Sequence, residues 1–185
     1  MKKFVFFIFV YFLSTTLPFQ SLADKVTLKF HTMLPMPSNT IANFVKPWFN
    51  KIKNESNNEI IAEFYPSMQL GGKPSQLVDQ VREGVVDVIW TVAGYTPGRF
   101  PRLSVFELPF MPTNAEVTTQ AVQEFVETIG AEDLKDYKIL AVHVHSPGKI
   151  HTKNTLIKSL DDFQGLKLRG PTRSATNLLK KLGAT

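Results

Sequence analysis

Apolar and polar residues alternate with a period of two over residues 26–31, which predicts a half-buried strand. After Ser38 the spacing changes. Ile41, Phe44, Val45, Trp48, Phe49 and Ile52 recur at helical intervals and share one face, and Pro47 is expected to kink that helix because it has no N–H and its ring crowds the preceding turn. Asn57-Asn58 marks a turn, and residues 59–65 read as a second strand. Gly71-Gly72 leads into a helix with Pro74 in its first turn, Leu77, Val78 and Val81 inward, and Gly84 at its C-terminal end. Residues 85–91 are apolar on both faces except at Asp87, the pattern of a central parallel strand covered on both sides.

A loop rich in Pro and Arg spans residues 95–112. Thr113-Asn114-Ala115-Glu116 then has the form of a capping box, opening a helix with Val117, Ala121, Val122, Phe125 and Ile129 inward. Residues 138–144 predict the next strand, Ser159 to Asp162 repeats the capping pattern, and residues 166–169 form a short strand. A last helix carries Leu178, Leu179 and Leu182 before Gly183. Strands and helices in alternation indicate an α/β fold with a largely parallel sheet. Because the helix ending at Gly183 runs into Ala184-Thr185 where another strand is due, the chain is expected to be the N-terminal part of a longer protein.

The N-terminus carries a different pattern. Lys2 and Lys3 precede an apolar run over residues 4–13, and small residues stand around Ser21-Leu22-Ala23, which together predict a cleaved secretory signal over residues 1–23 and a mature chain starting at Asp24. The apolar run is too short for a membrane-spanning helix, which needs about 20 residues, so no membrane insertion is expected after cleavage. The 21 basic and 16 acidic residues are intermixed, and their net charge of +5 gives no basic patch, so a nucleic-acid partner is not implied. With no cysteine, an exported protein has neither a disulfide framework nor a thiolate metal site.

Two constellations have chemical potential. His143 and His145 stand two apart on a predicted strand and would project from one face, where they either line a cleft or chelate a metal. A secreted metal-dependent hydrolase is therefore the alternative reading, although a zinc site needs a third protein ligand and none stands in a motif. No nucleophile elbow or phosphate-cradling glycine loop is present, so no catalytic residue and no cofactor are assigned. Arg169 ends a predicted strand just before Gly170-Pro171 and a helix start, the place where open α/β sheets contact their ligands. Its planar fork matches a carboxylate bidentately; the alternative role is a surface salt bridge.

Four segments carry a resemblance: residues 64–72 (FYPSMQLGG), residues 78–87 (VDQVREGVVD), Phe106-Glu107-Leu108-Pro109-Phe110, and residues 160–171. In this order they resemble the DctP-type solute-binding proteins of tripartite ATP-independent periplasmic (TRAP) transporters, over nearly the whole mature chain. The resemblance implies a two-lobed periplasmic-binding-protein-like α/β fold with mostly parallel sheets, closing by a hinge. The first lobe would span residues 24–143, and residues 144–185 would begin an incomplete second lobe. It implies a periplasmic receptor, not an enzyme, that holds a small organic acid by its carboxylate and delivers it to a membrane permease driven by an ion gradient. The family's ligand-gripping arginine falls on Arg169. A second basic position falls on Lys149, where an arginine is common, so a compact ammonium replaces a fork. Where many relatives carry an acidic residue after Leu70-Gly71-Gly72, this chain has Lys73, which points to a simpler or more apolar carboxylate. Trp90 and Tyr95 would form an aromatic wall, with core packing as Trp90's other role, and His145 joins the expected ligand contacts.

Overall fold

The computed structural model describes residues 25–185, so the signal segment and its cleavage point lie outside the described residues. Three parallel strands, β1 (Val26–Thr32), β2 (Ile60–Tyr65) and β3 (Val88–Trp90), pair in the order β2-β1-β3. Phe30 faces Phe64 on one neighbour and Val88 on the other, while His31 faces Tyr65 and Ile89. Side chains alternate between the two faces of a strand, so this register divides the sheet's contacts between two cores. On one face Phe30, Ile41, Val45 and Phe49 are buried together with Phe64, Val88 and Trp90 packed around them. On the other, Val78, Phe100, Val122, Val126 and Leu134 collect Ile89, Tyr137, Ile139 and Val142. Phe30 lies 5.7 Å from the ring centre of Phe49 and 5.6 Å from that of Phe64, with a tilted or edge-on geometry favourable to aromatic quadrupoles.

The predicted kink takes the form of a change in winding. Ile41–Val45 is a π-turn, closed by the Lys46 N–H on the Ile41 carbonyl, and α1 (Lys46–Glu55) begins there with Pro47 in its first turn. Proline cannot supply the bond to the carbonyl four residues back, and the wider turn before it makes room for the ring. The helix after Gly71-Gly72 starts as a 3-10 turn at Pro74–Gln76 and continues as α2 (Leu77–Arg82), with Leu77 and Val78 buried as expected. Gly84 follows with φ +73°, a left-handed conformation that glycine adopts without steric cost.

Several expectations are corrected. β1, not β3, is the central strand of this sheet, and β3 starts only after Asp87. Asp87 clamps β1 instead: its N–H donates to the Lys29 carbonyl at 3.1 Å and its carboxylate accepts the Lys29 N–H at 2.8 Å. The Thr113–Glu116 capping box is not formed: α3 (Ala115–Glu127) is capped one residue on, by Asn114 Oδ1 accepting the Val117 N–H at 2.9 Å. Its buried stripe is Thr118, Val122 and Val126, with Phe125 partly covered, whereas Val117 and Ile129 are exposed. Ile129 lies beyond the helix end, and a polar Thr118 hides in the stripe, so counting apolar residues rotated the predicted face. Residues 138–144 form no strand: Ile139, Val142 and Val144 pack into the second core, and the Val144 N–H is held by Thr119 Oγ1 at 3.1 Å. Residues 166–169 likewise are not a strand, although Leu168 N–H to Thr185 O and Thr185 N–H to Leu166 O are two bonds in the parallel pattern. Period-two patterning reports which side chains are buried, whereas a strand also needs a neighbouring backbone.

Candidate functional site

All three strands point their C-terminal ends, Thr32, Tyr65 and Trp90, to the same edge, and ligands bind at that edge in open α/β sheets. Thr32, fully buried, ties the edge together by donating from Oγ1 to the Trp90 carbonyl at 3.2 Å while accepting the Leu34 N–H at 3.2 Å. Under the edge His31, also fully buried, donates from Nδ1 to Gln80 Oε1 at 2.7 Å, and the Gln80 amide donates to the Gly71 carbonyl at 3.2 Å. This chain of bonds holds the Gly71-Gly72-Lys73 loop against α2, and the Lys73 N–H is in turn taken by Gln76 Oε1 at 2.8 Å.

Trp90 and His143 form a stacked pair: their ring centres are 5.7 Å apart, the planes are 29° from parallel, and Trp90 Nε1–H donates to His143 Nε2 at 3.1 Å. Trp90 is half-buried with one side in the α1 core, so its wall and core roles coincide. His145 turns elsewhere. Its Nδ1 is bonded to the neighbouring Ser146 carbonyl at 2.6 Å, and no cluster of three or more potential metal ligands occurs among the described residues. The two histidines therefore have different partners, and shared chelation would require breaking the Trp90 bond. Tyr95 stands in a short helical turn, Ala93–Tyr95, and lines a separate open hollow of about 470 Å³ with Ser75 and Arg99.

Arg169 is exposed and has no carboxylate partner among the described residues, and the same holds for Arg173. Arg82 and Arg99 both bind Asp79, and Arg102 binds Asp133 at 2.6 Å. The salt-bridge alternative for Arg169 thus finds no partner here. Lys149 is exposed and equally without a carboxylate. The start of α4 (Arg173–Lys181) is anchored to the rest of the molecule: Thr172, its N-cap, accepts the Ala175 N–H at 3.2 Å and donates to Glu107 Oε2 at 3.0 Å. A carboxylate at a helix N-terminus is favoured by the helix dipole. A side chain on Gly94 would collide with Glu107 and with the Thr172 methyl, so close packing of these three residues requires the glycine. Trp90 precedes Gly94 and Arg169 precedes Thr172 by only a few residues, which keeps each within about 15 Å of that contact. The same junction frames a hollow of about 270 Å³ bordered by Gly94, Glu107, Arg173 and Asn177. Sequence reasoning missed Arg173 and the Glu107–Thr172 bond; their only signal was the motif containing Glu107.

Local bonds displace the titrations of Tyr65 and Asp162, as the Glu132–Lys135 pair displaces its own. The Tyr65 hydroxyl donates to Glu63 Oε2 at 2.8 Å, and that bond holds its pKa above the ordinary value. Asp162 Oδ2 accepts from the Lys158 N–H, the Ser159 N–H and the Ser159 hydroxyl, which hold its carboxyl below the ordinary range. Asp162 thereby fixes the loop leading toward Arg169. Among the described residues no helix is long and apolar enough to cross a membrane.

Comparison with known proteins places this geometry. The family model for bacterial extracellular solute-binding protein, family 7, matches residues 31–185. A TRAP solute-binding protein from a marine metagenome, specific for aromatic acid ligands and solved with 3-hydroxybenzoate, is 65% identical with a TM-score of 0.84; the match covers 88% of this chain and 51% of that one. A TRAP solute-binding protein from Rhodoferax ferrireducens, solved with copurified benzoate, is 54% identical with a TM-score of 0.82, covering 86% of this chain and 50% of that one. A periplasmic TRAP protein from Bordetella bronchiseptica, with bound (R)- and (S)-mandelate, is 31% identical with a TM-score of 0.75, covering 86% and 51%. The chain thus spans about half the length of each of these relatives. None of them lends support to the metal-dependent hydrolase. With the family model matched from residue 31 to residue 185 and the parallel α/β fold shared with solved relatives, this chain belongs to the bacterial extracellular solute-binding proteins of family 7, the DctP-type receptors of TRAP transporters.

Proposed function

We propose that the full-length protein is a periplasmic receptor that captures an aromatic carboxylate and delivers it to an ion-gradient-driven TRAP permease, without performing chemistry on it. In this reading residues 1–23 are the export signal, residues 24–143 the first lobe, and the second lobe begins at residue 144. The observation that carries it is the guanidinium of Arg169, which meets no carboxylate among the described residues and stands three residues before the Thr172–Glu107 contact. Arg169 grips the ligand carboxylate through two parallel N–H bonds, and Lys149 adds a second positive charge. The Trp90–His143 stack supplies a flat face for the ring, Tyr95 and His145 reach the ligand only when the lobes close, and hinge closure removes water from the ion pair. Lys73, standing where many relatives have an acid, leaves no carboxylate at that position to hydrogen-bond a polyhydroxylated ligand. The aromatic acids bound by relatives at 65% and 54% identity support the same class of ligand.

Calorimetric titration of the full-length protein with benzoate, 3-hydroxybenzoate, mandelate and the aliphatic acid succinate tests the reading. Binding of at least one aromatic acid at micromolar or tighter affinity is expected, with succinate at least about 100-fold weaker, a difference of about 2.7 kcal/mol. Tighter binding of succinate than of every aromatic acid would overturn it.

A further inference from the structure

The Trp90–His143 pair carries more than a flat surface. Indole nitrogen is a donor only, and its hydrogen is committed to His143 Nε2 at 3.1 Å, so Trp90 has no polar group left for a ligand. The bond also fixes the imidazole. With Nε2 accepting, the ring hydrogen resides on Nδ1, and a histidine's tautomer is set in this way by the bond its other nitrogen makes. Nδ1 has no hydrogen-bond partner among the described residues, and His143 is exposed at the edge where the strands end. Neighbouring His145 differs on this point, since its Nδ1 is already engaged by the Ser146 carbonyl. The carboxylate end of the ligand is assigned to Arg169, so a donor at a different place on the wall addresses a different part of the ring.

We propose that His143 is a specificity-determining residue that reads a ring hydroxyl: Nδ1–H donates to the oxygen of a hydroxyl on the aromatic acid, with Trp90 holding the imidazole in the donating tautomer. The inference rests on the aromatic-acid reading of the site and deepens it by naming hydroxylated aromatic acids as the preferred ligands. An unsubstituted ring binds the same wall but leaves that donor without a partner. A single neutral hydrogen bond corresponds to a preference of about two- to tenfold.

The test compares benzoate and 3-hydroxybenzoate by calorimetry on the full-length protein as wild type, His143→Phe and His143→Asn. Phenylalanine keeps an aromatic ring against Trp90 but has no donor; asparagine restores a donor near Nδ1 without the stack. Wild type is expected to prefer 3-hydroxybenzoate by at least about threefold. His143→Phe should lose that preference, the ratio of the 3-hydroxybenzoate and benzoate affinities falling to about one, and His143→Asn should keep part of it. An unchanged preference in His143→Phe overturns the inference while leaving the aromatic-acid reading intact, as does a wild type that binds both equally. A wild type that binds neither acid overturns both. Because His143 is exposed, both variants should retain the wild-type unfolding midpoint, and that readout separates lost recognition from lost structure.

Discussion

The region up to residue 144 and the region after it treat their arginines in opposite ways. In the first, Arg82, Arg99 and Arg102 each meet a carboxylate. In the second, Arg169 and Arg173 meet none among the described residues, although Glu107 lies close enough to bond Thr172. Both hydrophobic cores, and every residue packed on them, fall within residues 28–144, while beyond them Phe163 and Ala184 are buried and Leu156 and Leu160 are exposed. An arginine whose charge is satisfied internally helps to hold the scaffold, and one without a partner is available to an anion from outside. The comparison therefore separates residues whose loss should lower stability from residues whose loss should lower affinity.

The largest effect is expected where the scaffold is most tightly packed. Phe30→Ala removes a ring that is 2% exposed and touches both Phe49 and Phe64, and should lower the unfolding free energy by about 3–5 kcal/mol in denaturant titration. A loss below about 1.5 kcal/mol would mean that the first region is not the stable scaffold described.

Arg169→Ala should act on the other side of the divide. If Arg169 has the proposed role, the substitution leaves the ligand anion unpaired in the closed cleft, at a cost of about 2–5 kcal/mol in binding, roughly 30-fold to several thousand-fold in affinity for benzoate. Arg169→Lys should recover only part, because an ammonium keeps the charge without the fork. Neither variant should change the unfolding free energy by more than about 0.5 kcal/mol, since no carboxylate partner among the described residues is lost. Equal losses of stability and affinity would erase the distinction.

Asp133→Ala sharpens it from the scaffold side. The Asp133 side chain is 3% exposed and accepts both the Arg102 backbone N–H and its guanidinium at 2.6 Å. Removing it should cost about 1–3 kcal/mol of stability while leaving benzoate affinity within about threefold.

The smallest effect concerns acid. Because the bonds from Lys158 and Ser159 hold the Asp162 carboxyl below its ordinary value of 3.8, the ionised form is the one the fold prefers. Its contribution is complete above 3.8, declines as pH falls below it, and is gone once pH has passed below the depressed folded value. The difference in unfolding midpoint between wild type and Asp162→Asn should therefore be constant above pH 5 and shrink toward pH 3. A difference that grew on acidification would contradict the bonding described.

The parts of this fold that were legible in the sequence are those with a local cause. β1 and β2 follow from their strand patterns, the start of α3 from a polar capping segment whose cap proved to be Asn114 and not Thr113, and the change of winding before Pro47 from a missing N–H. Residues 138–144 show the limit: their alternation correctly marks Ile139, Val142 and Val144 as packed, but a ladder depends on a neighbouring backbone that sequence does not show. The candidate site divides similarly. Arg169 was singled out because a predicted strand end before Gly-Pro and a family motif coincide there, although residues 166–169 form no strand. The Trp90–His143 bond was not, because it joins residues 53 apart through tertiary packing, and the sequence offered only His143's spacing from His145.

The central claim is that Arg169 binds the carboxylate of an aromatic acid, and a chemical pair tests it most directly. Benzoate and benzamide share size and ring but differ in charge, so their affinities measured on full-length wild type and Arg169→Ala form a cycle that isolates the ion pair. Wild type is predicted to prefer benzoate by at least about 30-fold, and Arg169→Ala to bind the two within about threefold of each other. A wild type indifferent to the charge, or a preference that survives intact in Arg169→Ala, would contradict the account.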